Sequence, residues 1–125
     1  MERTERAYEL SRLLEQRRGS GEAWLEFLRV PALSMGIYVL QAGADDPQEP
    51  HTEDEVYYIA AGRGRLKVGD RDMEFGPGSL LFVPASAVHR FHDLREELTA
   101  LVFFAPAEGT LAAPSSPLPG PRAVS

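Results

Sequence analysis

The chain has 125 residues, 19 acids against 13 bases, a formal net charge of −6, and no cysteine. That length suits one domain with its own hydrophobic core and leaves no room for a second catalytic domain. Zero cysteine excludes a disulfide scaffold, a zinc–thiolate site, an iron–sulfur cluster and thiol catalysis, and the acid excess disfavours nucleic acid or an anionic membrane surface as main partner.

The charge is local. Asp45, Asp46, Glu49, Glu53, Asp54 and Glu55 put six acids and no base into residues 45–55, and outside this stretch 13 acids face 13 bases. A solvated loop is one reading of such a run; a cation site is the other. The N-terminus lacks the apolar stretch of a secretory signal, and no run approaches the about 18 apolar residues of a membrane span. The expected setting is cytoplasmic.

In chain order, residues 2–18 predict one amphipathic helix. Ala7, Leu10 and Leu14 recur at helical spacing beside Leu13, and Gly19 and Gly21 end the run. From Glu22 the pattern turns to short β-rich runs separated by Gly, Pro and Asp: 22–29, 34–41, 55–60, 63–68, 71–75, 79–83, 87–92 and 98–105. Val68-Gly69-Asp70-Arg71 reads as a tight hairpin, and Gly76-Pro77-Gly78-Ser79 as a type II turn. About eight short strands at regular spacing point to a sandwich or small barrel. Residues 106–125 hold five of the ten prolines and few large apolar side chains, the composition of a disordered tail. The expected organisation is an N-terminal helix over 1–20, a β domain over 21–106 and a tail over 107–125.

Two stretches resemble a known family. Gly43-x5-Glu49-x-His51-x3-Glu55-x6-Gly62 resembles the first cupin motif, and Gly78-x5-Pro84-x-Ser86-x2-His89-x3-Asp93 resembles the second. All spacings fit. Glu49 stands where the motif has its first His, Ser86 where it has Gly, and Asp93 where it has Asn. Over roughly residues 36 to 104 the chain is similar to a small single-domain cupin. The resemblance implies an all-β, double-stranded jelly-roll barrel with a divalent metal in its mouth. Carried over by position, His51, Glu55 and His89 match metal ligands, and Glu49 occupies a ligand position with a different side chain.

The residues themselves point the same way. Two imidazoles and a carboxylate without thiolate suit Fe, Mn, Zn or Ni, and a 2-His-1-carboxylate set is the arrangement of non-haem iron oxygenases. On a straight strand 49, 51, 53 and 55 share one face, although Pro50 invites a bend. His89, Phe91 and Asp93 share parity, so His89 is assigned as ligand, His92 as a surface or interface residue and Asp93 as a turn residue or neighbour of the site. Glu49 remains open between fourth ligand, base for a metal-bound water and solvated loop residue. Glu53 and Asp54 are expected in solvent, with the spare acids ringing the mouth. Tyr57, Ile59, Phe82 and Phe91 share parity with the ligands and would line a pocket or fill the core. Tyr57 is the candidate substrate contact or acid/base; Tyr38 is a weaker one.

Several strands are apolar on both faces, which one helix cannot cover, so a homodimer is expected. The functional readings are a small metalloenzyme, favoured as dioxygenase-like over isomerase- or lyase-like, acting on a small oxygen-rich molecule, or a non-catalytic small-molecule binding or sensing module. A metal-free structural protein fits less well, because it need not keep two His and a Glu at ligand spacing.

Overall fold

The computed structural model describes residues 5–48 and 50–112; Glu49, most of the expected tail and the first four residues lie outside the described part. One helix, α1 (Leu10–Ser20), precedes eight strands: β1 (Trp24–Val30), β2 (Leu33–Leu40), β3 (Asp54–Ala61), β4 (Gly64–Val68), β5 (Arg71–Phe75), β6 (Leu80–Val83), β7 (His89–His92) and β8 (Leu98–Ala105). Each strand corresponds to one of the apolar runs in the sequence.

The strands hydrogen-bond as two antiparallel sheets, in the orders β1-β2-β8-β3-β6 and β5-β4-β7. Tyr57, Ile59, Ala100 and Val102 from the larger sheet meet Leu66, Phe75 and Phe91 from the smaller in one core. The Tyr57 and Phe91 rings pack edge to face at 4.8 Å across it. The expected jelly roll is present as two packed sheets, but the sheets do not close into a barrel: β1, β5, β6 and β7 remain edges of the hydrogen-bond ladders.

The alternation of β3 fixes which side chains reach the core. Glu55, Tyr57 and Ile59 are buried, whereas Asp54 and Tyr58 are exposed. The register of β6 against β3 sets Val83 opposite Glu55, Leu81 opposite Tyr57 and Phe82 opposite Val56. Phe82 therefore points away from the core and is 56% exposed, against the expected pocket or core position. β6 carries no polar ligand to mark its inward face, and both Leu81 and Phe82 could have filled that face equally well by composition.

The helix is shorter at its start than residues 2–18 predict. Tyr8 packs its ring on Phe27 at 4.9 Å and donates its hydroxyl hydrogen bond to the Phe27 carbonyl, which holds residues 5–9 along β1 instead of in a helix. At the other end Gly21 adopts φ 74° and donates its N–H to the Arg18 carbonyl, so Gly19 lies inside the helix and Gly21 ends it. Leu13 is the buried helical residue; it packs with Ile37 and Val39 on the outer face of β2, with Leu14, Phe27 and Leu101 around them. Burying a leucine of this kind stabilises by about 1.5–3 kcal/mol. The helix covers that end of the large sheet and leaves Tyr58, Leu80 and Phe82 exposed at the other.

The turns explain the cupin-like glycines and their replacements. Gly43, Gly62 and Gly78 all have positive φ, and so do Ser86 (67°) and Asp93 (49°), which stand at the motif's Gly and Asn. At Gly62 the site is also crowded, because a Cβ would lie 2.6 Å from the Glu97 carbonyl oxygen. Ser86 keeps its turn by donating its N–H to the His51 carbonyl at 2.6 Å. Left-handed backbone costs an L-residue about 1–2 kcal/mol, and glycine gives back roughly 0.5–1 kcal/mol through its freer unfolded chain. Ser86→Gly should therefore raise the unfolding free energy by about 0.5–1 kcal/mol in urea titration, with an unchanged slope.

Candidate metal centre

His51, Glu55 and His89 come from three separate places. His51 lies just before β3, Glu55 near the start of β3, and His89 at the start of β7 in the opposite sheet. One donor atom from each falls within a group of mutual distances no greater than 4.8 Å, and all three residues are buried. The sheets thus converge on the two imidazoles and the carboxylate that the motif spacing singles out.

The donors are aimed by their surroundings. His89 Nδ1 lies 2.9 Å from the Ala87 carbonyl oxygen. A carbonyl only accepts, so Nδ1 carries the proton and Nε2 faces the group. His89 Nε2 is 3.2 Å from Glu55 Oε1. His51 packs its ring edge on Phe104 at 4.9 Å, and its ring centre is 5.5 Å from that of His89. Phe104 sits opposite Glu55 in the β3–β8 ladder, so the ladder that holds the carboxylate also brings in the wall against which His51 rests.

Electrostatics gives this arrangement its meaning. Glu55 is 1% exposed, yet neither carboxylate oxygen makes a hydrogen bond, and neither does His89 Nε2. Burying a carboxylate in this way costs several kcal/mol unless a cation compensates it. Burial alone would lower the His89 pKa; the Glu55 carboxylate beside it outweighs burial and holds the imidazole above its ordinary value. A proton shared with His89 is one compensating cation. A divalent metal is another, and the orphaned oxygens and imidazole nitrogen are the donors that Fe, Mn, Zn or Ni take. The residues fit a metal.

The other site residues divide. Tyr57 is fully buried beside Glu55 and His89, its ring centre 6.3 Å from that of His89. Its hydroxyl donates to Gln48 Oε1 at 2.9 Å. Burial and the Glu55 charge raise its pKa well above the ordinary phenol value, so it is a proton donor, not a phenolate. Tyr38 is also buried and donates to Asp46 at 2.7 Å; burial first and Asp46 second push its pKa up. Ile59 and Phe91 fill the core. His92 lies at the surface, 2.7 Å from Asp72, as assigned from its parity. Glu49 lies outside the described residues.

Several polar residues have roles that the sequence did not announce. Asp46 is buried and accepts from the Tyr38 hydroxyl, the Phe91 N–H and Gln48, each at 2.7 Å. With Gln48 also accepting from Tyr57, one chain of hydrogen bonds joins the two tyrosines beside the centre. Glu53, expected in solvent, is 1% exposed; it accepts from Thr52, from the Gly109 N–H at 2.7 Å and from the Leu111 N–H at 2.8 Å. Burial alone would raise its pKa, and these hydrogen bonds together hold it below the ordinary carboxylate value. The segment it holds, residues 107–112, reads from sequence as tail but forms a turn against the domain. That turn brings Glu108 Oε2 to 3.3 Å from His51 Nδ1. A signal was present: Glu108 is the sole acid in residues 106–125. The ring of spare acids expected at the mouth is not what Asp46 and Glu53 form, because both turn inward to satisfy backbone and side-chain donors.

Two packed antiparallel sheets with an inward-facing His/His/Glu group define a small β protein built around a candidate metal site. Its sequence agrees: the cupin domain family matches residues 36–105, and the chain belongs to that family. An uncharacterized protein of Streptomyces coelicolor is 41% identical over 103 residues, which are 82% of this chain and 98% of that one. A solved Thermus thermophilus protein aligns with TM-score 0.66 and 26% identity, over 81% of this chain and 97% of the other. The DMSP lyase DddQ of Ruegeria pomeroyi aligns with TM-score 0.59 and 26% identity, over 67% of this chain but 42% of its own. A cupin 2 conserved barrel protein of Rhodopseudomonas palustris aligns with TM-score 0.60 and 23% identity, over 68% of this chain and 61% of the other, and shows the shared fold.

The Asp46 network is testable by its stability. Asp46→Ala leaves the Tyr38 hydroxyl and the Phe91 N–H buried without a partner, and should lower the unfolding free energy by about 2–4 kcal/mol in denaturant titration.

Proposed function

We propose that this cupin holds one divalent metal through His51, Glu55 and His89 and acts as a small metalloenzyme on an oxygen-bearing organic molecule. The observation that carries it is the buried Glu55 carboxylate, with both oxygens and the neighbouring His89 Nε2 lacking hydrogen bonds. The bound metal would supply Lewis-acid polarisation of a substrate oxygen. Around it, the chain's own groups divide the work. His51, Glu55 and His89 hold the cation, Tyr57 presents a phenol proton close by, and the Asp46–Gln48 hydrogen bonds fix the orientation of that phenol. Glu49 stands in this reading as a fourth carboxylate ligand or as a base next to the centre. The cysteine-free composition supports a cytoplasmic setting.

Within this reading an oxidoreductase of dioxygenase type is supported by the 2-His-1-carboxylate donor set. Lyase chemistry is supported by the likeness to the DMSP lyase at 26% identity. A silent binding or sensing module would keep the metal without turnover. Oxygen uptake by the Fe(II)-loaded protein across diol, enol and keto-acid compounds identifies the first; oxygen-independent elimination identifies the second.

Metal analysis tests the shared premise. The wild type purified without chelator should carry about one divalent ion per chain, and His51→Ala, Glu55→Ala and His89→Ala should each lose it. A wild type that binds no divalent metal at stoichiometry removes the enzyme reading.

We also propose that the chain is a homodimer built on the uncovered end of the large sheet. Leu80 and Phe82 on edge strand β6 are 70% and 56% exposed, next to the exposed Tyr58 of β3. Light scattering should return twice the chain mass, and Leu80→Glu/Phe82→Glu should return the monomer mass with the fold intact.

A further inference from the structure

The metal reading leaves one group unexplained: a carboxylate on the turn after the last strand, inside the site. Glu108 Oε2 is buried and makes no hydrogen bond, yet stands 3.3 Å from His51 Nδ1. Three anchors outside the ligand set hold this turn. Glu53 accepts the Gly109 and Leu111 N–H groups, Ser34 Oγ accepts the Glu108 N–H at 2.9 Å, and Arg29 donates to the Glu108 carbonyl at 2.9 Å. Glu53 is itself buried, and so is Ser34. Two buried polar side chains thus accept hydrogen bonds from the backbone of one short segment. The first anchored residue of that segment is the acid that meets His51.

We propose that Glu108 is a positioning residue of the metal centre and that Glu53 is the clamp that delivers it. The inference rests on the metal reading above. His89 has its Nδ1 proton fixed by the Ala87 carbonyl, built into its own strand-forming segment. His51 stands before β3, outside the strand, and its Nδ1 meets a carboxylate from the turn after β8. An Nδ1–H held by the Glu108 carboxylate selects the tautomer whose Nε2 lone pair is the ligand, and raises the basicity of that nitrogen. The strap over residues 106–112 then belongs to the site, and the chain closes its metal centre with a segment that follows the eighth strand.

The test is zinc affinity by competition with a chelating dye, for wild type, Glu108→Ala, Glu108→Gln and Glu53→Gln, each checked for folding by circular dichroism. Glu108→Ala should weaken zinc binding by about 10–100-fold. Glu108→Gln keeps an acceptor for the imidazole N–H but is a poor metal ligand, so it should retain most of the affinity. Glu53→Gln should weaken binding by less than Glu108→Ala and speed amide exchange at Gly109 and Leu111. In the zinc-loaded wild type, nitrogen–proton correlation spectra of the rings should show a slowly exchanging His51 Nδ1 proton, absent in Glu108→Ala. Equal affinity of wild type and Glu108→Ala overturns this proposal and leaves the metal reading standing. A Gln variant as weak as Ala overturns it in favour of direct ligation by Glu108. A wild type that binds no zinc removes both. Should the alanine variant fail to fold, the wild-type spectrum decides alone: a His51 Nδ1 without a proton overturns the proposal.

Discussion

Glu55 is the constraint around which the molecule is arranged. A carboxylate buried at the junction of two sheets, with no hydrogen bond to either oxygen, is tolerable only beside a cation. The fold brings two imidazoles to it, one from each side of the sandwich, so that either a proton or a metal can take up the charge. A hydrophobic residue at 55 would pack against Phe104 and Val83 at less cost to stability. The chain keeps the acid, which ties the tertiary fold to the chemistry at this place. His89 can only arrive if β7 pairs with β4 in its observed register, and His51 only if the Ser86 turn holds its backbone.

The acidic stretch 45–55 has a different meaning once folded. Among the described residues its charge does not form one solvated patch or one ring, because Asp46, Glu53 and Glu55 are buried. Asp46 binds three donors inside the domain, Glu53 holds the strap, Glu55 faces the imidazoles, and Asp54 accepts the Ala85 N–H at the surface. Each of these four carboxylates faces a different part of the fold. The local excess of negative charge is the sum of separate structural tasks placed close together because one segment, the entry into β3, passes all of the elements involved. The candidate metal centre takes a single one of those acids, Glu55, among the described residues.

The outer face of the large sheet shows the limit of what one short helix can do. Leu13 covers Ile37 and Val39, and Tyr8 ties the preceding segment to Phe27, so the helix is drawn to the β1–β2 end. The β3–β6 end keeps apolar side chains that nothing among the described residues of the single chain covers. The same geometry that leaves β6 as an edge turns Phe82 outward, and so the residue read from parity as a pocket wall becomes part of an uncovered surface.

Eight strands, the turns at Gly69 and Gly78, and the trio His51, Glu55 and His89 are all legible in the order of the amino acids. The strands and turns depend on period-two alternation and on left-handed turn positions, which are local properties, and the trio on its places in the two cupin-like motifs, His51 and Glu55 in the first and His89 in the second. The surface position of His92 is legible for the same reason, because parity along a four-residue strand needs no partner. The inward face of β6, the buried roles of Asp46 and Glu53, the late start of α1 and the return of Glu108 to His51 emerge only on folding. Each turns on contacts between residues far apart in the chain: Phe82 on the β3 register, Asp46 on Phe91, Glu53 on Gly109, Tyr8 on Phe27. A carboxylate in solvent and one clamped on a distant backbone have the same sequence neighbours, and only the fold supplies the donors that distinguish them.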